Sequence, residues 1–284
     1  MEQEKINRLQ WILDDAVARG EIPGAILMVR REGKEIVYLE SGYADIEAKK
    51  PVSRDSIYRL YSMSKPITAT AVMILVERGL IDLADPVCRY LPGFCGQMVA
   101  AADGHVEKPW RDVTIQDLVN MTSGLVYDGN HLTGKQTEAL FAEVIQGLDE
   151  GEGGAYGTVE IANRLGQIPL AFQPARSWCY GTSADVAGAL VEVVSGMRFG
   201  DFLEKEIFTP LEMVDTGFWV PEEKQSRLVK TYECNEGKPS VLYTGNHLGI
   251  RNAMDRRPAF ESGGAGLVST IDDYSHFAQM LLNG

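Results

Sequence analysis

The chain has 284 residues, 45% apolar and 24% charged, enough to bury a sizeable core in one large domain or two interleaved ones. A formal net charge of −13 repels phosphate backbones and anionic headgroups, so neither nucleic acid nor membrane is an expected partner. The apolar run at 69–76 is too short to cross a bilayer, the start Met1-Glu2-Gln3-Glu4-Lys5 is polar, and Cys88, Cys95, Cys179 and Cys234 form no C-x-x-C pair, so a cytoplasmic protein with reduced thiols is expected.

In chain order, Ile6, Leu9, Ile12, Leu13, Ala16 and Val17 recur at helical spacing and predict an amphipathic first helix. Two apolar-rich runs, 25–30 and 35–41, flank Glu32-Gly33-Lys34 and predict a β-hairpin. Almost only helix signals follow. The strongest runs from near Ser62 to Arg78, with Pro66 in its first turn and Gly79 as C-terminal cap, and is apolar on nearly every face, as a buried central helix should be. Thr114 with Asp117 and Thr270 with Asp273 are capping pairs opening two more helices; others are predicted at 184–195 and 199–207. The Gly- and Glu-rich segment 149–157 reads as a mobile loop, and Arg256-Arg257 as a solvated pair.

The chemistry concentrates at the start of the central helix. Ser62 and Lys65 are three residues apart, so on a helix their side chains share a face. A lysine there can relay the serine proton; burial would lower its pKa toward neutrality, and the helix amino terminus adds partial positive charge where an oxyanion would form. Taken alone, S-x-x-K is a weak signal.

Its surroundings make it specific. The run Tyr58-Arg59-Leu60-Tyr61-Ser62-Met63-Ser64-Lys65-Pro66-Ile67-Thr68 resembles the nucleophile segment of the serine β-lactamase-related, penicillin-binding-protein-like family. That family includes class C β-lactamases, DD-peptidases, D-aminopeptidases and family VIII carboxylesterases. The stretches 80–92, 114–125, 207–218 and 261–282, the last with its Gly263-Gly264-Ala265-Gly266-Leu267 core, are similar to family segments in the same order. The resemblance implies that Tyr180, in Trp178-Cys179-Tyr180-Gly181-Thr182, is the general base of the second motif. Thr182 stands where many β-lactamases and peptidases carry an asparagine, which disfavours β-lactam and peptide recognition more than ester hydrolysis; Trp178 and Thr182 are the candidate substrate-binding residues.

The family's third motif, a strand with a Lys-Thr-Gly-like or His-x-Gly-like triad, has no counterpart up to Gly284. The expectation is a fragment of a longer enzyme, a chain complemented by a C-terminal fragment or subunit, or a shortened non-catalytic paralogue, with the hairpin edge unpaired and self-association favoured. The implied fold is α+β and β-lactamase/transpeptidase-like, a helical domain plus an antiparallel sheet whose C-terminal strands are missing. Residues 1–55 supply the first helix and hairpin, and 56–284 a mainly helical region.

Other chemistries fit poorly. There is no G-x-S-x-G elbow, His105, His131, His247 and His276 do not pair at metal spacing, and the run 151–157 lacks a phosphate-loop lysine. The expected activity is that of a serine hydrolase acting through an acyl-enzyme on small ester or amide substrates, without metal or organic cofactor. Esterase action is the first reading. A β-lactamase or D-amino-acid-specific peptidase is the second, and a non-catalytic scaffold the third.

Overall fold

The run from Gly24 to Asp45 forms the longest strands because two runs rich in β-branched and other apolar residues flank Gly33, whose φ of 75° closes the turn. In the computed structural model, which describes residues 2–101, 105–151, 153–234 and 240–284, β1 (Gly24–Arg31) pairs antiparallel with β2 (Lys34–Asp45), and β2 with β3 (Lys50–Pro51). Helix α1 (Gln3–Ala18) packs on β2, where Ser41 Oγ donates to Asp14 at 2.6 Å. None of its residues is fully buried, and Trp11 and Ile12 are exposed. β1 is the end strand of its sheet, as expected from the hairpin alone. Beside it runs a groove of about 590 Å³, whose lining includes Met28, Leu60, Met63, Tyr274 and Leu282.

The remaining strands are β4 (Tyr58–Arg59), β5 (Val99–Ala100), β6 (Val106–Glu107), β7 (Thr231–Glu233), β8 (Val241–Tyr243) and β9 (Val268–Ser269). They pair as β4 with β9, β5 with β6 and β7 with β8. Runs of two or three residues carry no readable alternation, so the expectation of helix signals alone beyond the hairpin missed them. The helices are α2 (Ser64–Glu77), α3 (Ile115–Asn120), α4 (Leu132–Gln146), α5 (Thr158–Gly166), α6 (Ser183–Ser195), α7 (Phe199–Leu203) and α8 (Ile271–Asn283). Both capping pairs form: the Asp117 amide donates to Thr114 Oγ1, and that of Asp273 to Thr270 Oγ1.

Two apolar clusters share α6. One joins Ile67 and Leu75 of α2, Leu190 of α6, Phe199 and Phe202 of α7, and Phe277 of α8; the other sets Val186 and Ala189 of α6 against Leu118, Phe141, Ile161 and Leu165. Burying each of the larger side chains contributes on the order of 1.5–3 kcal/mol. Residues 183–191 are all buried, whereas α2 exposes Met73. The longest fully buried helical stretch is therefore residues 183–191 of α6, whose last turn exposes Val193, and not α2. An apolar composition on all faces does not decide which neighbours exist to cover them.

Two surface expectations are corrected. Backbone bonds from Ala155 to Gly147, from Gly154 to Glu150 and from Ala259 to Gly153 tie down much of 149–157, the segment read as a mobile loop; Glu152 lies outside the described residues. Arg256 donates to the Leu148 carbonyl and Asp149, and Arg257 to Asp201 and Glu261, so this pair is engaged rather than merely solvated.

Candidate active site

Three segments converge on Ser62. The first is its own approach: β4 pairs with β9, the Leu60 amide donates to the Leu267 carbonyl at 2.8 Å, and Tyr61 then takes a left-handed φ of 45°. That conformation costs a bulky residue on the order of 1–3 kcal/mol and is held by the pairing before it and the helix after it. It turns the chain into the single tight turn Tyr61–Met63 that leads into α2 and leaves Ser62 exposed.

The second segment brings Tyr180. Asp117, almost fully buried, receives a two-pronged bond from Arg111 at 2.6 and 2.9 Å, plus Thr114 and Thr122 hydroxyls at 2.9 Å each. Burial pushes its carboxyl up, but these donors hold it below the ordinary range. The network fixes the turn after α3. On that turn the Met121 carbonyl accepts the Cys179 amide at 3.0 Å and the Thr122 carbonyl the Ala175 amide at 2.9 Å. Gly181 completes the contact, because a Cβ there would lie 2.1 Å from the Leu125 carbonyl oxygen. Tyr180 is thereby held at the mouth of the site, its ring 6.0 Å from that of Tyr127 and 6.3 Å from that of Trp178.

The third segment is the turn 262–267. Thr68 Oγ1 donates to the Gly263 carbonyl at 2.8 Å and the Leu267 amide to Ser64 Oγ at 3.1 Å, locking the turn to the first two turns of α2.

Lys65 sits at the junction of all three. Its Nζ donates to Ser62 Oγ at 3.1 Å and to the Gly264 carbonyl at 2.8 Å, and lies 4.5 Å from the Tyr180 ring centroid and 5.4 Å from that of Tyr127. At Tyr180, burial pushes the phenol up, but polar contacts with Lys65 and Ser62, with the lysine charge, bring it below its ordinary value. Tyr127 behaves in the opposite way: burial, then the nearby Asp185 carboxyl, push its phenol up, and its hydroxyl has no hydrogen-bond partner among the described residues. Of the two tyrosines beside the lysine, Tyr180 is the one whose phenol is held below its ordinary value. The arrangement can activate a serine hydroxyl and return a proton to a leaving group.

The structure thus brings together Ser62, Lys65 and Tyr180, the residues singled out in the sequence. Trp178 is 65% exposed beside Tyr180. Thr182 is fully buried just before α6, and its hydroxyl is unpartnered among the described residues, so it does not face the open site. Sequence reasoning passed over Asp185, Ser262 and the Gly264 carbonyl. The available signal was an acidic residue at the third position of the otherwise uncharged run 183–191. Among the described residues no group of three His, Cys, Asp or Glu side chains could hold a metal ion, and no helix is long and apolar enough to cross a membrane.

A family model described as Beta-lactamase matches residues 9–284. Protein Rv1367c of Mycobacterium tuberculosis is 32% identical over 276 residues, which are 93% of this chain and 63% of that protein. Esterase EstB of Burkholderia gladioli is 34% identical over 277 residues, 94% of this chain and 67% of the esterase. The chain thus spans about two thirds of the length of these relatives. Among solved structures, EstCE1, described as a hydrolase with promiscuous acyltransferase activity, superposes with a TM-score of 0.80 at 27% identity, covering 98% of this chain and 72% of its own.

Proposed function

The chain belongs to the Beta-lactamase family, and on that premise we propose that it is a serine hydrolase of the esterase type, with Ser62 as nucleophile and Lys65 and Tyr180 as its proton carriers. The observation that carries the reading is the lysine ammonium 3.1 Å from the serine hydroxyl, with a phenol of lowered pKa alongside. Tyr180 as phenolate takes the Ser62 proton through Lys65 while Oγ bonds to the ester carbonyl carbon. The carbonyl oxygen bears the negative charge of the tetrahedral adduct. Its collapse breaks the bond to the alcohol, which leaves with the proton from Tyr180. Water, deprotonated by Tyr180, then attacks the acyl-enzyme, and the acid departs as Oγ regains its proton.

The ester preference is supported by Thr182, whose buried side chain presents no amide donor to a substrate amide, and by the esterase and hydrolase descriptions of EstB and EstCE1. Trp178, exposed beside Tyr180, offers an apolar wall for the acyl or alcohol group. Turnover of short-chain p-nitrophenyl esters is expected to exceed that of a chromogenic cephalosporin by at least about tenfold in kcat/KM, the smallest gap that separates substrate classes by one factor of 1.4 kcal/mol. Faster cephalosporin hydrolysis would overturn the ester reading, and no turnover of either would point to a non-catalytic role.

A further inference from the structure

The Gly264 carbonyl that accepts from Lys65 is itself held by bonds to α6. Asp185, 3% exposed, accepts on one carboxylate oxygen both the Ser262 hydroxyl at 2.5 Å and the Gly264 amide at 3.0 Å. Having given its own proton to Asp185, the Ser262 hydroxyl accepts the Ala265 amide at 3.1 Å. In a trans peptide the N–H and C=O point in opposite directions. Anchoring the Ala265 N–H on Ser262 therefore turns the carbonyl of the same peptide, that of Gly264, outward to Lys65 at 2.8 Å. The turn can approach this closely only without a side chain: a Cβ on Gly264 would lie 2.8 Å from the second Asp185 oxygen and 2.9 Å from the Tyr127 hydroxyl.

We propose that Asp185 is a positioning residue, which with Ser262 orients the Gly264 carbonyl and so holds Lys65 beside Ser62. A fully buried carboxyl is costly, and burial pushes its pKa up. An apolar residue would pack α6 as well but would leave the Ser262 and Gly264 donors without an acceptor. The inference rests on the hydrolase reading only in taking Lys65 as a proton carrier.

The test labels Ser62 in a single turnover with an activated alkyl phosphonate, in which amplitude reports the folded fraction and rate reports activation. Asp185→Ala is expected to slow labelling by about 100-fold at full amplitude, the loss that follows a displacement of about 1 Å, and to lower kcat for esters with KM little changed. Asp185→Asn, which keeps an oxygen acceptor, is expected to restore the rate to within about tenfold of the parent. Ser262→Ala provides the second variant, with the same slowing, should Asp185→Ala fail to fold. Crystal structures of the parent and of either variant give a readout independent of activity: the Lys65 Nζ to Gly264 O contact should open. Loss of amplitude at an unchanged rate, or a contact that stays closed in the variant, would overturn the positioning role. A parent protein that does not label overturns the hydrolase reading instead, and the crystallographic comparison still decides this one.

Discussion

Replacing Lys65 with methionine is expected to slow acylation of Ser62 by about 100- to 10,000-fold, the range that a positioned proton carrier contributes. Methionine keeps much of the length and volume of the lysine stem, so packing against Tyr127 and Tyr180 survives while the bonds to Ser62 Oγ and the Gly264 carbonyl are lost. The variant should also change the pH dependence. At Tyr180, burial favours the neutral phenol, and Lys65 is a principal reason that its pKa lies below the ordinary value. Without the lysine, burial dominates and the phenol pKa rises. With the phenolate as the proposed base, kcat/KM is expected to climb as pH rises through that pKa, and the climb in Lys65→Met to move to higher pH. A profile of kcat/KM against pH for an ester, in parent and variant, checks both parts. An unmoved profile with a modest loss in rate would mean that the lysine is only a neighbour.

Tyr180→Phe is the second large effect. It preserves the ring beside Trp178 and Tyr127 but removes the phenol, and kcat is expected to fall by about 100- to 10,000-fold with little change in KM. Stopped-flow measurement of acyl-enzyme formation and decay separates the steps, and both should slow, because in the proposed mechanism the same phenol serves attack and deacylation. A variant slowed only in decay would assign the first proton transfer to Lys65 alone. Rates within a few-fold of the parent in both phases would remove Tyr180 from the mechanism.

How far the sequence discloses the site depends on the distance over which each interaction acts. Ser62 and Lys65 are legible because a three-residue spacing on a helix is local geometry, and the hairpin because two apolar-rich runs around a glycine turn are a local pattern. Tyr180 is legible only through the resemblance of its segment to the family's second motif; no spacing in the chain ties it to Ser62. The bonds of Asp185 to Ser262 and Gly264 span 77 and 79 residues, and nothing in residues 183–191 taken alone says what that acid meets. The same limit applies to the bonds from Arg256 to Asp149 and from Arg257 to Asp201, 107 and 56 residues apart, whereas the other acidic partner of Arg257, Glu261, is four residues away. Thr182 is instructive in another way. A residue two positions from a site tyrosine is a natural candidate for contact with substrate, but the chain enters α6 there, and the side chain turns into the protein.

Whether Ser62 is an activated nucleophile is tested most directly by intact-protein mass after exposure to an activated alkyl phosphonate. One phosphonyl adduct per chain in the parent protein, absent from Ser62→Ala, is the predicted result. An unlabelled but folded parent, or a Ser62→Ala variant that labels equally, would contradict it.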